Sequence, residues 1–356
     1  MAKSNLVILV HGMGTYDAGQ ITKEVEDGLD NALDFCDLDF DYKQDIEFVE
    51  HNYGIELDRI RKAEAETLAD FEALDINNNI VDMLKKYAEN VGGDKFFYTH
   101  ILDVIYYGLT MWGERLRVSF AKDLIEKMKR ATLNGQRVHV LSYSLGTALV
   151  NDTFSKIYRD GDTSDKFLSI HDHKVSHYWT IANVSRILHE LNGIHGANPK
   201  TNIVHDGLGG CTDKMTVVSH KYDPLMLIKK YRREPEKGRF QEPSGITQLN
   251  THDLTGYLCD PEVGAKMLYD LYGGDTGLNM ENLTAGIDKY KASTLNGQID
   301  GLQDKWAKVV SSTGNPLGAV ENLKALITAA KEFRDRLDAF IPKKNTVNSP
   351  AQGTGA

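Results

Sequence analysis

The stretch Val138-His139-Val140-Leu141-Ser142-Tyr143-Ser144-Leu145-Gly146-Thr147 constrains the fold more than any other part of this chain. Val138, Val140 and Leu141 are β-formers in a run too short for a helix, and Asn134-Gly135 just upstream marks a turn. From Leu145 to Tyr158 apolar residues recur at helical spacing (Leu145, Leu149, Phe154, Ile157). A buried strand, a very tight turn and a helix therefore follow one another directly. A serine on such a turn, with glycine two residues on, is the sequence form of a nucleophile elbow. The turn is strained, and small neighbours are needed because strand and helix nearly touch. The helix N-terminus behind Ser144 also favours negative charge developing at its oxygen.

Strands and helices alternate on either side of this stretch. Asn5 to Val10 is a continuous apolar run, the mark of a strand covered on both faces, and it breaks at His11-Gly12-Met13-Gly14. Glycines there let backbone N–H groups point into a site. Gln20 to Phe35 has a helical pattern, and Ile46 to Tyr53 reads as the next strand. His177 to Ala182, Met215 to Ser219 and Gly245 to Leu249 read as further strands. Asp260 is expected to cap a helix with Pro261 in its first turn, stopped by Gly273-Gly274. The alternation predicts an α/β fold: a mostly parallel sheet with helices on both faces. Residues 1–274 form the main domain in this reading, with a helical insertion at 55–130 as a candidate lid or cap. Residues 275–341 read as a C-terminal helical extension, and 342–356 as a polar, disordered tail.

In such sheets the working residues lie on loops at the carboxyl ends of strands. The His11–Gly14 turn, Ser144, Asp223 and His252 all fall at predicted strand ends, and the last three appear in the chain order Ser, Asp, His. On these residues the sequence resembles an α/β-hydrolase of the serine esterase or lipase type. The resemblance spans roughly residues 5 to 273. It implies Ser144 as nucleophile, His252 as general base and acid, and Asp223 as the residue that orients the imidazole. It implies backbone N–H groups of Met13 and Leu145 as the oxyanion hole, with His11, Gly12 and Gly146 shaping the site. The family pattern G-x-S-x-G is broken here by Ser142 in the first glycine position. Ser144 is preferred over Ser142 as nucleophile because Leu145-Gly146-Thr147 follows it directly. Asp206 and Asp253 are fallback acids, and His220, His205 and His195 compete with His252.

The function implied is hydrolysis of carboxylic esters, with a lipid or other acyl ester as substrate, through an acyl-enzyme. Thioesterase, amidase and acyltransferase chemistries use the same three residues. An inactive, hydrolase-like scaffold that binds a partner through its helical extension is the alternative from another class. No cofactor is expected. The 12 histidines lack the i, i+4 pairing beside an acid that a zinc helix requires, so no metal is expected either. A net charge of −10 argues against nucleic acid as a partner. Lys229, Lys230, Arg232, Arg233, Lys237 and Arg239 could border the site and suit peripheral contact with an anionic membrane. The aromatic run from Phe96 to Trp112 reads as core, with an acyl-pocket wall as the alternative. The narrow apolar seam within 316–341 is expected to pack back on the main domain, with self-association or docking of a partner as the alternatives. Three distant cysteines, Cys36, Cys211 and Cys259, suit a reducing compartment. The N-terminal apolar run is too short for a signal peptide, and no stretch reaches the roughly 20 apolar residues of a membrane span. The expectation is a cytoplasmic location, with signal-independent export left open.

Overall fold

The computed structural model describes residues 3–14, 16–56, 59, 112–158, 167–186, 203–223, 226, 231, 238–246 and 251–294. Six strands form one sheet: β1 (Asn5–Val10), β2 (Ile46–His51), β3 (Arg137–Tyr143), β4 (Val175–Ile181), β5 (Thr212–Val218) and β6 (Arg239–Gln241). Their order is β2-β1-β3-β4-β5-β6, and every neighbouring pair is parallel. The helices are α1 (Gln20–Phe35), α2 (Trp112–Leu133), α3 (Leu145–Ile157), α4 (Leu254–Cys259), α5 (Gly264–Tyr272) and α6 (Met280–Ala292). The α/β class expected from the alternation is thus what the described residues form.

The side-chain alternation of the strands separates the two faces. On one face Tyr178 of β4 meets Phe154 of α3. On the other, Arg239 of β6 pairs with Asp270 of α5, and Arg137 of β3 reaches the Leu271 carbonyl. Central β1 lies between these layers, and Leu6 through Val10 have no exposed surface. α1 buries Ile21, Val25, Leu29, Ala32 and Leu33 on one stripe, the three-four spacing that its sequence carries. Its first turn lacks a side-chain cap of its own. Glu50 of β2 takes that place, accepting from the Gly19 and Thr22 N–H groups at 2.8 and 2.9 Å. A carboxylate there satisfies orphan donors and faces the positive end of the helix dipole.

Several expectations are corrected. Among the described residues the last strand is Arg239–Gln241; of the strand expected at Gly245–Leu249, Gly245 and Ile246 are irregular and the rest lies outside the described residues. Pro243 offers no N–H to continue the ladder, and its carbonyl accepts from Lys221 instead. The helix expected from Pro261 begins at Gly264. Asp260 closes a turn before it, its carbonyl accepting from Val263 and Gly264 and its side chain from Glu262. A short helix, α4, precedes that turn and had no counterpart in the sequence reading. β2 stops at His51, so that Asn52 and Tyr53 leave the ladder for the turn after β1. Most of the 55–130 insertion, the aromatic run, residues 229, 230, 232, 233 and 237 of the basic rim, and all of 295–356 lie outside the described residues. Among the described residues no helix is long and apolar enough to cross a membrane.

The face beneath α5 carries two buried histidines side by side, His139 of β3 and His177 of β4. His139 Nε2 lies 3.1 Å from Asn5 Oδ1, and His177 Nε2 lies 2.8 Å from Thr216 Oγ1. The His177 ring stacks on Trp179 at 4.0 Å. Burial, reinforced by Arg137, holds His139 down to about 3. Burial, reinforced by His139, Arg239 and Lys214, holds His177 down to about 2. Both are therefore neutral when folded, while an unfolded histidine takes a proton near pH 6.5. Below that pH the unfolded chain binds more protons, so stability falls as pH falls until the folded values are reached. Each group removes about 1 kcal/mol per pH unit below 6.5. Denaturant unfolding is expected to show a clearly less stable protein at pH 5 than at pH 7.5. Replacing His139 and His177 with glutamine is expected to flatten that slope; an unchanged slope contradicts the assignment.

Candidate active site

The chain leaves β1 toward β2 on one side and returns to place β3 on the other. The connections following β1 and β3 therefore leave in opposite directions, the topological switch point at which open parallel sheets commonly bind ligands. His11–Gly14 follows β1 and Ser144 follows β3, so both lie at this switch point.

Ser144 adopts φ 51° and ψ −123°, a left-handed conformation rare for a residue with a Cβ. Its surroundings over-determine that geometry. The Ser144 N–H donates to the Ile181 carbonyl at 2.9 Å, continuing the β3–β4 ladder by one bond. The Ser144 carbonyl accepts from the Thr147 N–H at 2.9 Å and the Thr147 hydroxyl at 2.6 Å, which closes the first turn of α3. Two glycines allow the crossing. A Cβ on Gly146 would lie 2.6 Å from the Val10 carbonyl oxygen and 2.4 Å from that of His11. A Cβ on Gly12 would lie 2.8 Å from the Tyr143 ring and 3.0 Å from Ser144 Cβ. The turn after β1 and the turn after β3 are thereby pressed together.

Asp223 and His252 arrive from the other side. Asp223 ends a turn after β5, its N–H donating to the His220 carbonyl at 3.2 Å. His252 immediately precedes Asp253, whose carboxylate caps α4 by accepting from Gly256 N–H at 2.7 Å. The Ser144 hydroxyl lies 2.7 Å from His252 Nε2, and His252 Nδ1 lies 2.6 Å from Asp223 Oδ2. Asp223 has no exposed surface, Ser144 1% and His252 8%. A buried carboxylate accepts, so Nδ1 carries the proton and Nε2 offers its lone pair to the serine hydroxyl. The three side chains named from the sequence form one hydrogen-bonded relay.

Two tyrosines that the sequence reading did not single out hold this relay. Tyr143 donates to the His252 carbonyl at 2.5 Å, and its ring stands 5.2 Å from the imidazole. Tyr257, on α4, donates to Asp223 Oδ2 at 2.5 Å. Tyr143 adjoins Ser144 in the sequence, but its partner is 109 positions away. Tyr257 lies on the helix that the sequence reading lacked.

The remaining candidates have structural partners. His11 Nδ1 lies 2.7 Å from the Gly12 carbonyl and its Nε2 3.1 Å from Asn52 Oδ1. Its ring stacks with Tyr16 at 4.4 Å and with Tyr53 at 4.1 Å. Tyr53 also donates to the Gly12 carbonyl at 2.5 Å. Burial holds His11 down to about 4, so it remains neutral at physiological pH. His11 is thus a support of the turn beside Ser144. Met13, next in that turn, is buried. Leu145 is the first residue of α3, where no carbonyl one turn back within the helix can take its N–H. Ser142 lies inside β3 and donates to the Tyr178 hydroxyl at 3.0 Å, away from the relay. Asp206 accepts from Gly238 N–H, and Asp253 is the α4 cap. His220 Nε2 bonds the Gly245 carbonyl, and His205 Nδ1 accepts from Gly207 N–H. His195 lies outside the described residues. Among the described residues no group of three or more His, Cys, Asp or Glu is placed to hold a metal ion.

The sequence matches no family model and no curated protein.

The crossing at Gly146 leads to a direct expectation. Gly146→Ala must displace the Val10–His11 backbone or α3, and is expected to lower unfolding stability by about 2–3 kcal/mol in denaturant melts. A stability within about 0.5 kcal/mol of the parent contradicts the close approach.

Proposed function

We propose that this chain is a serine hydrolase built on the α/β-hydrolase plan, acting on carboxylic esters. The observation that carries the reading is the buried Ser144–His252–Asp223 relay at the switch point of a parallel sheet. A serine hydroxyl is a weak nucleophile until a base stands within hydrogen-bond reach, and His252 Nε2 is at that distance. In the first half-reaction Ser144 Oγ attacks the ester carbonyl carbon while its proton passes to His252 Nε2. The carbonyl π electrons move to oxygen, giving a tetrahedral oxyanion. The oxyanion collapses, the bond to the leaving alkoxide breaks, and His252 returns the proton to it as alcohol. Water then attacks the acyl-Ser144 carbonyl, losing its proton to His252, and the second collapse frees the acid and restores Ser144. Asp223 holds the imidazole in the required tautomer and balances the imidazolium formed in each half.

The Leu145 N–H at the start of α3 and the Met13 N–H beyond Gly12 would receive the oxyanion. Each such donor is worth on the order of 3 kcal/mol in the barrier. Both are backbone groups, so their side chains need only pack. Lipid and other acyl esters, including phospholipids, are the substrate class that the resemblance favours; thioesters, amides and transfer to an alcohol acceptor use the same relay. Contact with an anionic membrane through the basic residues between 229 and 239 belongs to this reading as well.

A fluorophosphonate probe tests it. The folded protein is expected to label, Ser144→Ala to abolish labelling, and Ser142→Ala to retain it. Ester turnover in Ser144→Ala is expected to fall by at least about a thousandfold. Absence of labelling in the folded parent sinks the proposal, and labelling lost in Ser142→Ala alone would move the nucleophile.

A further inference from the structure

We propose that Tyr257 is a positioning residue that keeps Asp223 charged and sets the proton affinity of His252. The proposal rests on the Ser144–His252–Asp223 reading and extends it. Tyr257 Oη lies 2.5 Å from Asp223 Oδ2 and 3.1 Å from the His220 N–H. The phenol oxygen accepts the His220 N–H, so its own proton is directed at the carboxylate. His220 and Asp223 are the two ends of one turn, closed by the Asp223 N–H to the His220 carbonyl at 3.2 Å. Tyr257 therefore clamps both ends of the turn that carries the acid.

Position along the chain strengthens the arrangement. α4 starts two residues after His252, capped by Asp253, and Tyr257 stands one turn further on. A Cβ on Gly28 of α1 would lie 2.5 Å from Leu258 Cβ, so α4 is seated tightly on α1. Base and clamp thus ride on one short, fixed element.

The electrostatic consequence follows from burial. Asp223 has no exposed surface, and a buried carboxylate stays ionised only if donors replace water. His252 Nδ1–H and Tyr257 O–H both reach the same oxygen, Oδ2. The phenol proton lowers the negative potential felt by the imidazole. Without it, the carboxylate would hold a proton on His252 more strongly and withdraw the neutral base at a higher pH. Burial and then Asp223 push the Tyr257 phenol well above its ordinary range, which keeps it a donor. Charged or titratable groups that face this cluster among the described residues include Tyr143 from β3, Tyr16 from the turn after β1, Glu24 from α1, Asp253 from the start of α4 and His220. All of them remain when the Tyr257 hydroxyl is removed.

The test is an NMR pH titration of the full chain with isotope-labelled histidine, His252 being assigned with His252→Gln. It requires no turnover. In Tyr257→Phe the His252 midpoint is expected to rise by about 0.5–1 pH unit. Where that variant fails to fold, 3-fluorotyrosine at position 257, a stronger donor of the same shape, is expected to lower the midpoint. A midpoint that stays within about 0.2 unit of the parent, or moves in the opposite direction, overturns the proposal. The expected shift in Tyr257→Phe, in a protein whose parent fails to label with the fluorophosphonate, overturns the hydrolase reading alone. Labelling without a titration shift removes only the role of Tyr257.

Discussion

Gly146 meets the carbonyls of Val10 and His11 at a distance that no Cβ could share. That approach of α3 to the end of β1 governs the rest of the site. It brings the turn after β1 against the turn after β3 and so sets Gly12 beside Ser144. It also forces the left-handed backbone at Ser144, because the chain must reverse from strand to helix within one residue. The strain at that residue, of order 1–3 kcal/mol, is balanced by the Ile181 and Thr147 bonds around it. The parallel sheet makes the arrangement work. With β1 and β3 adjacent and their connections leaving in opposite directions, the two turns meet at the switch point of the sheet.

Much of this was legible in the residues. β1, α1, β3 and α3 follow from apolar runs and spacing, since each buries a whole strand or a continuous stripe. Ser144 and Asp223 follow β3 and β5, where the sequence puts strands, but the strand expected before His252, Gly245–Leu249, is irregular at Gly245 and Ile246 and otherwise lies outside the described residues. β6 was not legible: Arg239, Phe240 and Gln241 show no alternation of their own, and pairing with β5 alone makes them a strand. α4 has six residues, too few to reveal a period, and its cap Asp253 stands in the sequence beside His252, where it reads as an acid. Tyr143 and Tyr257 carry no local signal, because their roles depend on partners brought together by the sheet. Ser142 shows a different limit. Its departure from glycine is plain in the sequence, but only the packing shows its hydroxyl turned to Tyr178 within the strand layer.

The buried polar groups divide into two sets with opposite chemistry. Beneath α5, His139 and His177 are held neutral by burial and add nothing near the switch point. Around Asp223, His252 Nδ1 and the Tyr257 hydroxyl reach the same carboxylate oxygen. The same low-dielectric interior thus silences one histidine pair and sharpens the pairing of another with its carboxylate. Tyr143 and Tyr257 extend that second set to the backbone of His252 and to the turn of Asp223. The relay is therefore anchored from β3, β5 and α4 together.

In the proposed mechanism Ser144 carries the acyl group between the two half-reactions. Rapid acid quench during turnover of an activated ester such as a p-nitrophenyl ester, followed by peptide mass mapping, addresses it directly. One acyl adduct is expected on the peptide containing Ser144, absent in Ser144→Ala. Turnover in Ser144→Ala at the parent rate, or an adduct mapped to Ser142 or to another residue, would contradict it.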